Sequence, residues 1–327
     1  MSIHATQRVN TAYFGKIPTR GDFVKNASHP QLMASLDNWV AHAMGQLEQD
    51  LDWKTLYDNL HAVRFAFLGS RSKLAIAGHL QPSRDQAGRR FPFLCATSLP
   101  VPHSLDFIAR SPMAFSRIWG AMERSTQSLM TSTAPDQALS ELDNLAGEVR
   151  TQADDGFDAF IDLQTIDGMV SLLAQHEHTI DFHDLVLALG ALMTPLQSSG
   201  RSQADQGLLL PLPRDPLYMN LSAAFWLSLI TPFLARGDFE LAVFVLRLEG
   251  RQRLAVGLRG AHPDDLASLI STPAQAYRQF LCLDQPAWIK DLPQLDSGQS
   301  KLSSYLRQPR LSLRTVRDTF HDIFTGA

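Results

Sequence analysis

Cysteine is scarce in this chain, whose 327 residues include only Cys95 and Cys282. Both lie in apolar stretches far apart in the sequence, which argues against a disulfide framework and favours a reducing compartment. The longest apolar runs, at 185–196 and 223–235, hold about a dozen residues each, whereas a membrane span needs about 20. The stretch after Met1 also lacks the apolar core of a signal peptide. These absences predict a cytoplasmic protein.

A strong excess of charge of one sign is absent as well. The 29 Lys+Arg and 33 Asp+Glu residues give a formal net charge of -4. No overall field therefore draws the protein to nucleic acid or to an anionic membrane. With 45% hydrophobic and 19% charged residues, the composition is that of an ordinary globular protein. At about 150 residues per domain, the length favours two domains, which we predict as residues 1–150 and 151–327.

The signatures of common enzyme classes are missing too. The sequence contains neither the Gly-x-x-x-x-Gly-Lys-Ser/Thr loop of nucleotide-binding proteins nor the Gly-x-Gly-x-x-Gly dinucleotide fingerprint. Ser70 has glycine on one side only and falls in a predicted hairpin turn, unlike the nucleophile of Gly-x-Ser-x-Gly hydrolases. We therefore predict no enzymatic activity, no catalytic residue and no cofactor.

The densest group of possible metal ligands is His176, His178, Asp181, His183 and Asp184. Their spacing does not match His-Glu-x-x-His, and no cysteine lies near enough in the sequence to complete a structural zinc site. We interpret the segment as a solvated loop or helix start, so that no metal site is predicted. The alternative is a weak metal site serving a metal-assisted hydrolase.

Periodic apolar residues in the first hundred positions predict a long helix followed by antiparallel strands. Ser28 begins a Ser-x-x-Gln capping box, and the apolar stripe after it predicts a helix of about five turns that reaches Leu51. The apolar runs 63–68 and 74–80 flank a polar turn and predict a hairpin. The run 93–99 predicts the next strand of the same antiparallel sheet.

Later segments repeat this alternation of helices and hairpins. Helices are predicted to resume after Pro112 and again from 136 to 150. Apolar runs at 241–258 predict another hairpin, and 303–324 predicts a C-terminal helix that either packs on the body or docks a partner. The predicted fold class is α+β, with a largely antiparallel sheet flanked by helices. The C-terminal half is either a second α+β unit or an extension of the sheet, ending in an amphipathic helix.

Two short segments near the N-terminus combine glycine, proline and aromatic residues. They are Tyr13-Phe-Gly-Lys-Ile-Pro-Thr-Arg-Gly-Asp-Phe23 and Leu80-Gln-Pro-Ser-Arg-Asp-Gln-Ala-Gly-Arg-Arg-Phe-Pro-Phe93. Each is typical of a stiffened turn, in which glycine allows unusual backbone angles, proline fixes φ and flanking aromatics reach a core. Together, and over roughly residues 10 to 130, they resemble the TagF family of bacterial type VI secretion accessory proteins. The N-terminal domain of that family carries Gly-Lys-x-Pro-x-x-Gly-Asp-Phe and then Pro-Ser-x-Asp-x-x-Gly-Arg-x-Phe-Pro. The matching positions are Gly15, Lys16, Pro18, Gly21, Asp22 and Phe23, then Pro82, Ser83, Asp85, Gly88, Arg89, Phe91 and Pro92.

The resemblance implies a non-enzymatic regulator of type VI secretion. It implies post-translational repression of the apparatus by binding its forkhead-associated scaffold protein. From the charge and the apolar runs we predict no nucleic-acid partner and no membrane insertion. The alternative is a structural accessory subunit of the secretion machine. A regulator of this kind requires a contact surface of about 800 Å² per partner. An exposed Trp39, Trp53 or Trp119 would be its aromatic anchor.

The charged residues of the two motifs allow two local hypotheses. In the first, Arg89 pairs with Asp22 and ties the motifs together. Asp85 meanwhile holds its own turn by accepting hydrogen bonds from N–H groups near Ala87 and Gly88. In the second hypothesis, the motifs present an exposed recognition patch of cations. Its members are Lys16, Arg20, Arg89 and Arg90.

Overall fold

The computed structural model describes residues 6–26, 29–151, 155–174, 180–198, 203–291 and 296–326. Within these ranges the chain is a mixture of helices and strands, which confirms the predicted α+β class. The strands are β1 (Thr6–Asn10), β2 (Ala12–Gly15), β3 (Val24–Lys25), β4 (Val63–Gly69), β5 (Leu74–Gln81), β6 (Phe93–Pro100), β7 (Ala146–Arg150), β8 (Gly207–Pro211), β9 (Glu240–Leu248), β10 (Arg251–Gly257) and β11 (Phe280–Cys282). The helices are α1 (Pro30–Leu47), α2 (Trp53–Asp58), α3 (Ser104–Thr131), α4 (Pro135–Asp143), α5 (Asp155–Leu163), α6 (Ile166–Leu173), α7 (Phe182–Ser198), α8 (Pro216–Ile230), α9 (Pro263–Leu269), α10 (Pro273–Gln279), α11 (Ser297–Leu306) and α12 (Leu313–Phe324).

Nine of the described strands form one continuous sheet, in the order β11-β8-β10-β9-β4-β5-β6-β2-β3. All neighbours are antiparallel except β11, which runs parallel to β8. Both predicted hairpins are present, and β9 of the second pairs with β4 of the first. The second hairpin therefore extends the first sheet, which is one of the two alternatives left open by the sequence. The division of the chain at residue 150 stays a prediction.

Both faces of this sheet are covered, because side chains along each strand alternate between two cores. In β4, Phe65 and Phe67 belong to the core that includes α1 and α9. Ala66 and Leu68 belong to the opposite core, which includes α3, α7, α8 and α12. The continuous apolar runs of β4 and β9 are explained by this burial on both faces.

The first helix is shorter than the apolar stripe predicted. Ser28 of the predicted capping box lies outside the described residues, and α1 begins at Pro30. The helix ends at Leu47, where the backbone N–H of Asp50 bonds to the Leu47 carbonyl at 3.0 Å, a tighter i to i+3 turn. Leu51 is fully exposed, so the prediction that the helix extends to it is wrong.

The prediction that helices resume only after Pro112 is also wrong. Helix α3 begins at Ser104 and continues through Pro112. Proline removes the N–H that would bond to the carbonyl of Ile108. The Ser111 hydroxyl donates to that carbonyl at 2.9 Å, so the lost backbone bond is replaced within the same turn.

The helix predicted for 136–150 is confirmed only in its first part. Helix α4 ends at Asp143, and β7 follows from Ala146. β7 pairs antiparallel with β1 in a separate two-stranded sheet, and Val149 is fully buried there. Pairing with a strand 140 positions away in sequence overrides the local helical pattern.

The C-terminal helix packs on the body of the protein. Val316 and Phe320 of α12 are fully buried, so its apolar face is not left free for a partner. One stretch, Pro216–Leu234, is long and apolar enough to span a membrane by length and composition alone. In this structure 78% of that stretch's most apolar window is buried within the fold, and a core helix passes the same test.

Candidate functional site

The two N-terminal motifs lie side by side in the fold. The first contains β2 and the turn that leads to β3, and the second connects β5 to β6. Because β2 pairs with β6, the start of the first motif is brought beside the end of the second, with Phe14 opposite Leu94. The two loops therefore form one structural unit, although about sixty positions separate them in the sequence.

At Gly15 the backbone of the first motif lies close to the backbone of the second. Its φ is 140°, which side-chain-bearing residues rarely adopt. A Cβ atom there would lie 2.4 Å from the carbonyl oxygen of Pro92 and 2.5 Å from the Cα atom of Phe93. Only glycine allows this approach between the motifs.

The buried carboxylate of Asp85 is the polar centre of the unit. Its Oδ1 atom accepts hydrogen bonds from the backbone N–H groups of Ala87 at 3.0 Å and of Arg89 at 2.9 Å. The predicted role of Asp85 in holding its own turn is thereby confirmed. Its Oδ2 atom accepts from Nε of Arg89 at 2.7 Å and lies 3.1 Å from Nζ of Lys16. Lys16 belongs to the first motif, so this carboxylate links the two motifs directly.

These donors determine the ionisation of Asp85. Burial on its own raises the pKa of a carboxyl group. The hydrogen bonds from Arg89 and Lys16 and the positive charge of Lys16 more than offset that effect, and the pKa of Asp85 is lowered to about 2. Asp85 is therefore a charged group held in place by its partners, as in a structural ion pair.

The predicted pair between Arg89 and Asp22 is not formed. Arg89 binds Asp85 instead, and its Nη2 atom donates to the backbone carbonyl of Gly21 at 2.7 Å. The Asp22 carboxylate accepts a hydrogen bond from the backbone N–H of Phe23 at 2.9 Å. The physical reason is proximity, since Asp85 lies four residues before Arg89 in the same turn. Arg89 does tie the motifs together, but through a main-chain oxygen.

The exposed patch of four cations is not formed either. Lys16 is only 7% exposed, because it is packed against Asp85 and lies 5.2 Å from the centre of the Phe23 ring. Arg90 makes two hydrogen bonds to Asp58, at 2.8 and 2.5 Å. Arg20 forms a salt bridge to Asp136 of α4. Each of these cations is already paired within the chain.

The remaining motif residues anchor the second loop. The Tyr57 hydroxyl accepts from the backbone N–H of Ser83 at 2.8 Å and donates to its carbonyl at 2.9 Å. Gly88 has a φ of 80°, as its tight turn requires. Pro82 is partly buried and Pro92 is buried. The role of Tyr57 was missed by the sequence analysis, because no pattern there connects it to a loop twenty-six positions later.

The exposed residues of the two loops form a surface that we call the motif face. Phe23 is its most prominent member, 47% exposed, with its ring edge against Phe91 at 5.0 Å. The guanidinium end of Arg89 is exposed beside the Gly21 carbonyl that it binds. The other exposed members are Pro18, Thr19, Gly21, Asp22, Arg84, Gln86, Ala87 and Gly88.

The predicted metal-ligand group is only partly visible. His176 and His178 lie outside the described residues. Asp181, His183 and Asp184 offer ligand atoms within 4.8 Å of one another. The ring nitrogens of His183 are already engaged, Nδ1 with Asp184 at 2.8 Å and Nε2 with Ser303 at 2.9 Å.

The chain Asp184–His183–Ser303 has the order of hydrogen bonds found in serine hydrolases. Its histidine and aspartate line a cleft of about 470 Å³. Ser303, however, is only 8% exposed and lies in the interior of α11, so its hydroxyl is poorly accessible to a substrate. Ser70, the nucleophile considered from the sequence, bonds instead to the backbone at Gly237 and Phe239 and has a structural role.

Comparison with known families identifies the region that contains the motifs. Residues 12–145 match the family model of the TagF N-terminal domain, described as type VI secretion system-associated. This match confirms the resemblance carried by the two motifs. It indicates a protein associated with the type VI secretion system.

Among the solved structures similar to this chain is that of PA0076 from Pseudomonas aeruginosa PAO1 at 2.05 Å resolution. The two are 24% identical, with a TM-score of 0.36. The alignment covers 43% of this chain and 66% of PA0076, just under two thirds of its length. No curated protein matches this chain.

Proposed function

We propose that this protein is a non-enzymatic, cytoplasmic regulator of type VI secretion that represses the apparatus after translation. In this proposal it binds a forkhead-associated scaffold component through the motif face and thereby holds back assembly or firing. The observation that supports it best is that residues of both TagF motifs bind one another and together form one accessible surface, the motif face.

The composition of the motif face suits a protein contact. Aromatic residues and arginines are enriched at the energetic centres of interfaces. Phe23 offers an exposed ring that is held by Phe91 and by the ammonium group of Lys16. Because these contacts already fix the ring, little side-chain entropy is lost when a partner covers it.

The two motif glycines on the first loop differ in a way that supports this role. Gly15 is required by the fold, as its close approach to Pro92 shows. A Cβ atom at Gly21 would meet no atom of the described residues within 4 Å, and its φ lies outside the left-handed region. Gly21 therefore does not supply the unusual backbone angles that the sequence analysis expected from the glycines of the motifs. A glycine that no internal contact requires fits a surface that another molecule approaches closely.

The test is binding of purified wild type and Phe23→Ala to the forkhead-associated component of the same secretion system. Since truncating an interface aromatic typically costs about 2 kcal/mol or more, we expect the dissociation constant to rise at least about tenfold. The matched control is Leu163→Ala, which trims another exposed apolar side chain, 83% accessible, on α5. Its affinity should stay within about twofold of wild type.

The melting temperature of both variants should remain close to that of wild type, because neither side chain is in the core. Equal binding by wild type and Phe23→Ala would remove the motif face from the contact. Failure of the wild type to bind the scaffold component at all would overturn the choice of partner.

A further inference from the structure

A second surface, on a different part of the chain, brings together arginine side chains that have no salt-bridge partner among the described residues. Arg110 and Arg117 lie on α3, and Arg150 ends β7. All three line one cleft of about 210 Å³, which we call the arginine cleft. It shares no residue with the two motifs.

Regular structure explains why these side chains converge. On α3 the stripe Arg110, Met113, Ala114 and Arg117 follows the 0, 3, 4, 7 spacing that puts residues on one helix face. On β7, Glu148 and Arg150 are two apart and so share a face of the strand. This spacing can be recognised in the sequence once the helix is known to begin before Pro112. The remaining lining residues are Ser116 and, from α5, Phe157.

The charge balance of the cleft is unusual for this protein. Three arginines and one glutamate give a local formal charge of +2, in a chain whose net charge is -4. Among the described residues, none of the three guanidinium groups has a salt bridge or a side-chain hydrogen-bond partner, whereas Arg20, Arg64 and Arg314 are all paired.

We infer that the arginine cleft binds a doubly charged oxyanion, of the phosphate type. Three guanidinium groups supply planar, forked donors that match the oxygens of such an anion and stay charged at every physiological pH. A dianion would neutralise the local charge of +2, whereas a single carboxylate would leave half of it. Met113, Ala114 and Phe157 form apolar walls that could accommodate an organic group attached to the anion.

The experiment titrates inorganic phosphate into the full chain at pH 8 and constant ionic strength. The arginine Nε–H signals are followed by NMR. We expect saturable shifts that fit one site. Arg110→Gln and Arg150→Gln should each weaken binding about tenfold, since each removes a charge-assisted hydrogen bond. Acetate, a monoanion, should bind at least about tenfold more weakly than phosphate.

Two further variants separate site binding from general screening and from misfolding. Arg310→Gln removes an exposed arginine elsewhere on the chain and should change the phosphate affinity less than about twofold. Glu148→Gln removes the negative charge that the described lining residues contribute to the cleft and should tighten phosphate binding several-fold, a gain that a damaged fold does not produce. The inference is overturned by shifts that do not saturate, by equal losses in Arg310→Gln, by equal binding of acetate, or by weaker binding in Glu148→Gln.

Discussion

Asp85 and His79 are both buried titratable side chains, six positions apart, but the structure treats their charge in opposite ways. Asp85 is surrounded by donors, and its pKa is lowered to about 2, so it stays ionised. His79 in β5 is fully buried, and neither ring nitrogen has a hydrogen-bond partner among the described residues. Burial lowers the pKa of His79 to about 4, so the ring stays neutral. Burial disfavours charge at both sites, and the donors in reach decide which residue keeps it.

The largest expected loss of stability comes from removing the buried, paired carboxylate of Asp85. Asp85→Ala leaves the buried ammonium group of Lys16 without its carboxylate and removes the oxygen that accepts two backbone N–H hydrogen bonds in the turn. Breaking a buried pair from one side is strongly destabilising. We expect the melting temperature, measured by circular dichroism, to fall by about 10 °C.

The control for this variant is Asp58→Ala. Asp58 also pairs with an arginine of the second motif, Arg90, but its side chain is 48% exposed. Such a pair contributes little to stability, so the melting temperature should fall by about 2 °C or less. An equal fall in melting temperature for Asp58→Ala and Asp85→Ala would show that the burial of a carboxylate and the number of its partners do not determine its contribution to stability.

The sequence revealed only the local half of the Asp85 site. An aspartate four residues before Arg89, in a turn with glycine, was enough to predict hydrogen bonds within that turn. The link to Lys16 was missed and a pair between Asp22 and Arg89 was wrongly predicted. Both depend on the register of β2 against β6, which places Lys16 rather than Asp22 over the carboxylate. Register is a long-range property that no single segment encodes.

The same limit explains the outcome for the fold. The hairpins at 63–80 and 241–258 were predicted because apolar runs and turn residues lie within one short window. Their joining into one sheet depends on the pairing of β4 with β9, which the sequence left open. The sequence predicts a helix boundary at Pro112, because proline lacks the N–H of a helical hydrogen bond. The replacing hydrogen bond from Ser111 to Ile108 is visible only in the structure.

The second prediction concerns His79, the buried side chain without a hydrogen-bond partner among the described residues, and is tested by measuring stability against pH. Because the pKa of His79 is near 6.5 when unfolded and about 4 when folded, the unfolded chain binds the extra proton between these values. Stability should therefore fall as pH drops from 6.5 to 4, by about 3 kcal/mol in total from this group. In His79→Leu this contribution should vanish, and urea unfolding at pH 7, 6, 5 and 4.5 would measure the difference from wild type.

The matched control for the pH series is His42→Leu, since His42 is exposed on α1. Its pH profile should follow that of wild type. The Asp85 contribution falls in a lower window: it is fully present above about pH 4 and is lost as pH decreases toward 2. A pH dependence that persists in His79→Leu between 6.5 and 4 would contradict the assignment of that slope to a neutral buried ring.

The smallest effect is expected for the exposed partner of Asp85. The Arg89 side chain is 63% accessible, so water screens its contact with the carboxylate. In Arg89→Ala, Asp85 would keep Lys16 and the two backbone N–H groups, and the melting temperature should fall by about 2 °C. Arg84→Ala, an exposed neighbour in the same loop, should change it hardly at all. If Arg89→Ala were as damaging as Asp85→Ala, the carboxylate would depend on its accessible cation, and the contrast between a buried and a screened partner would not hold.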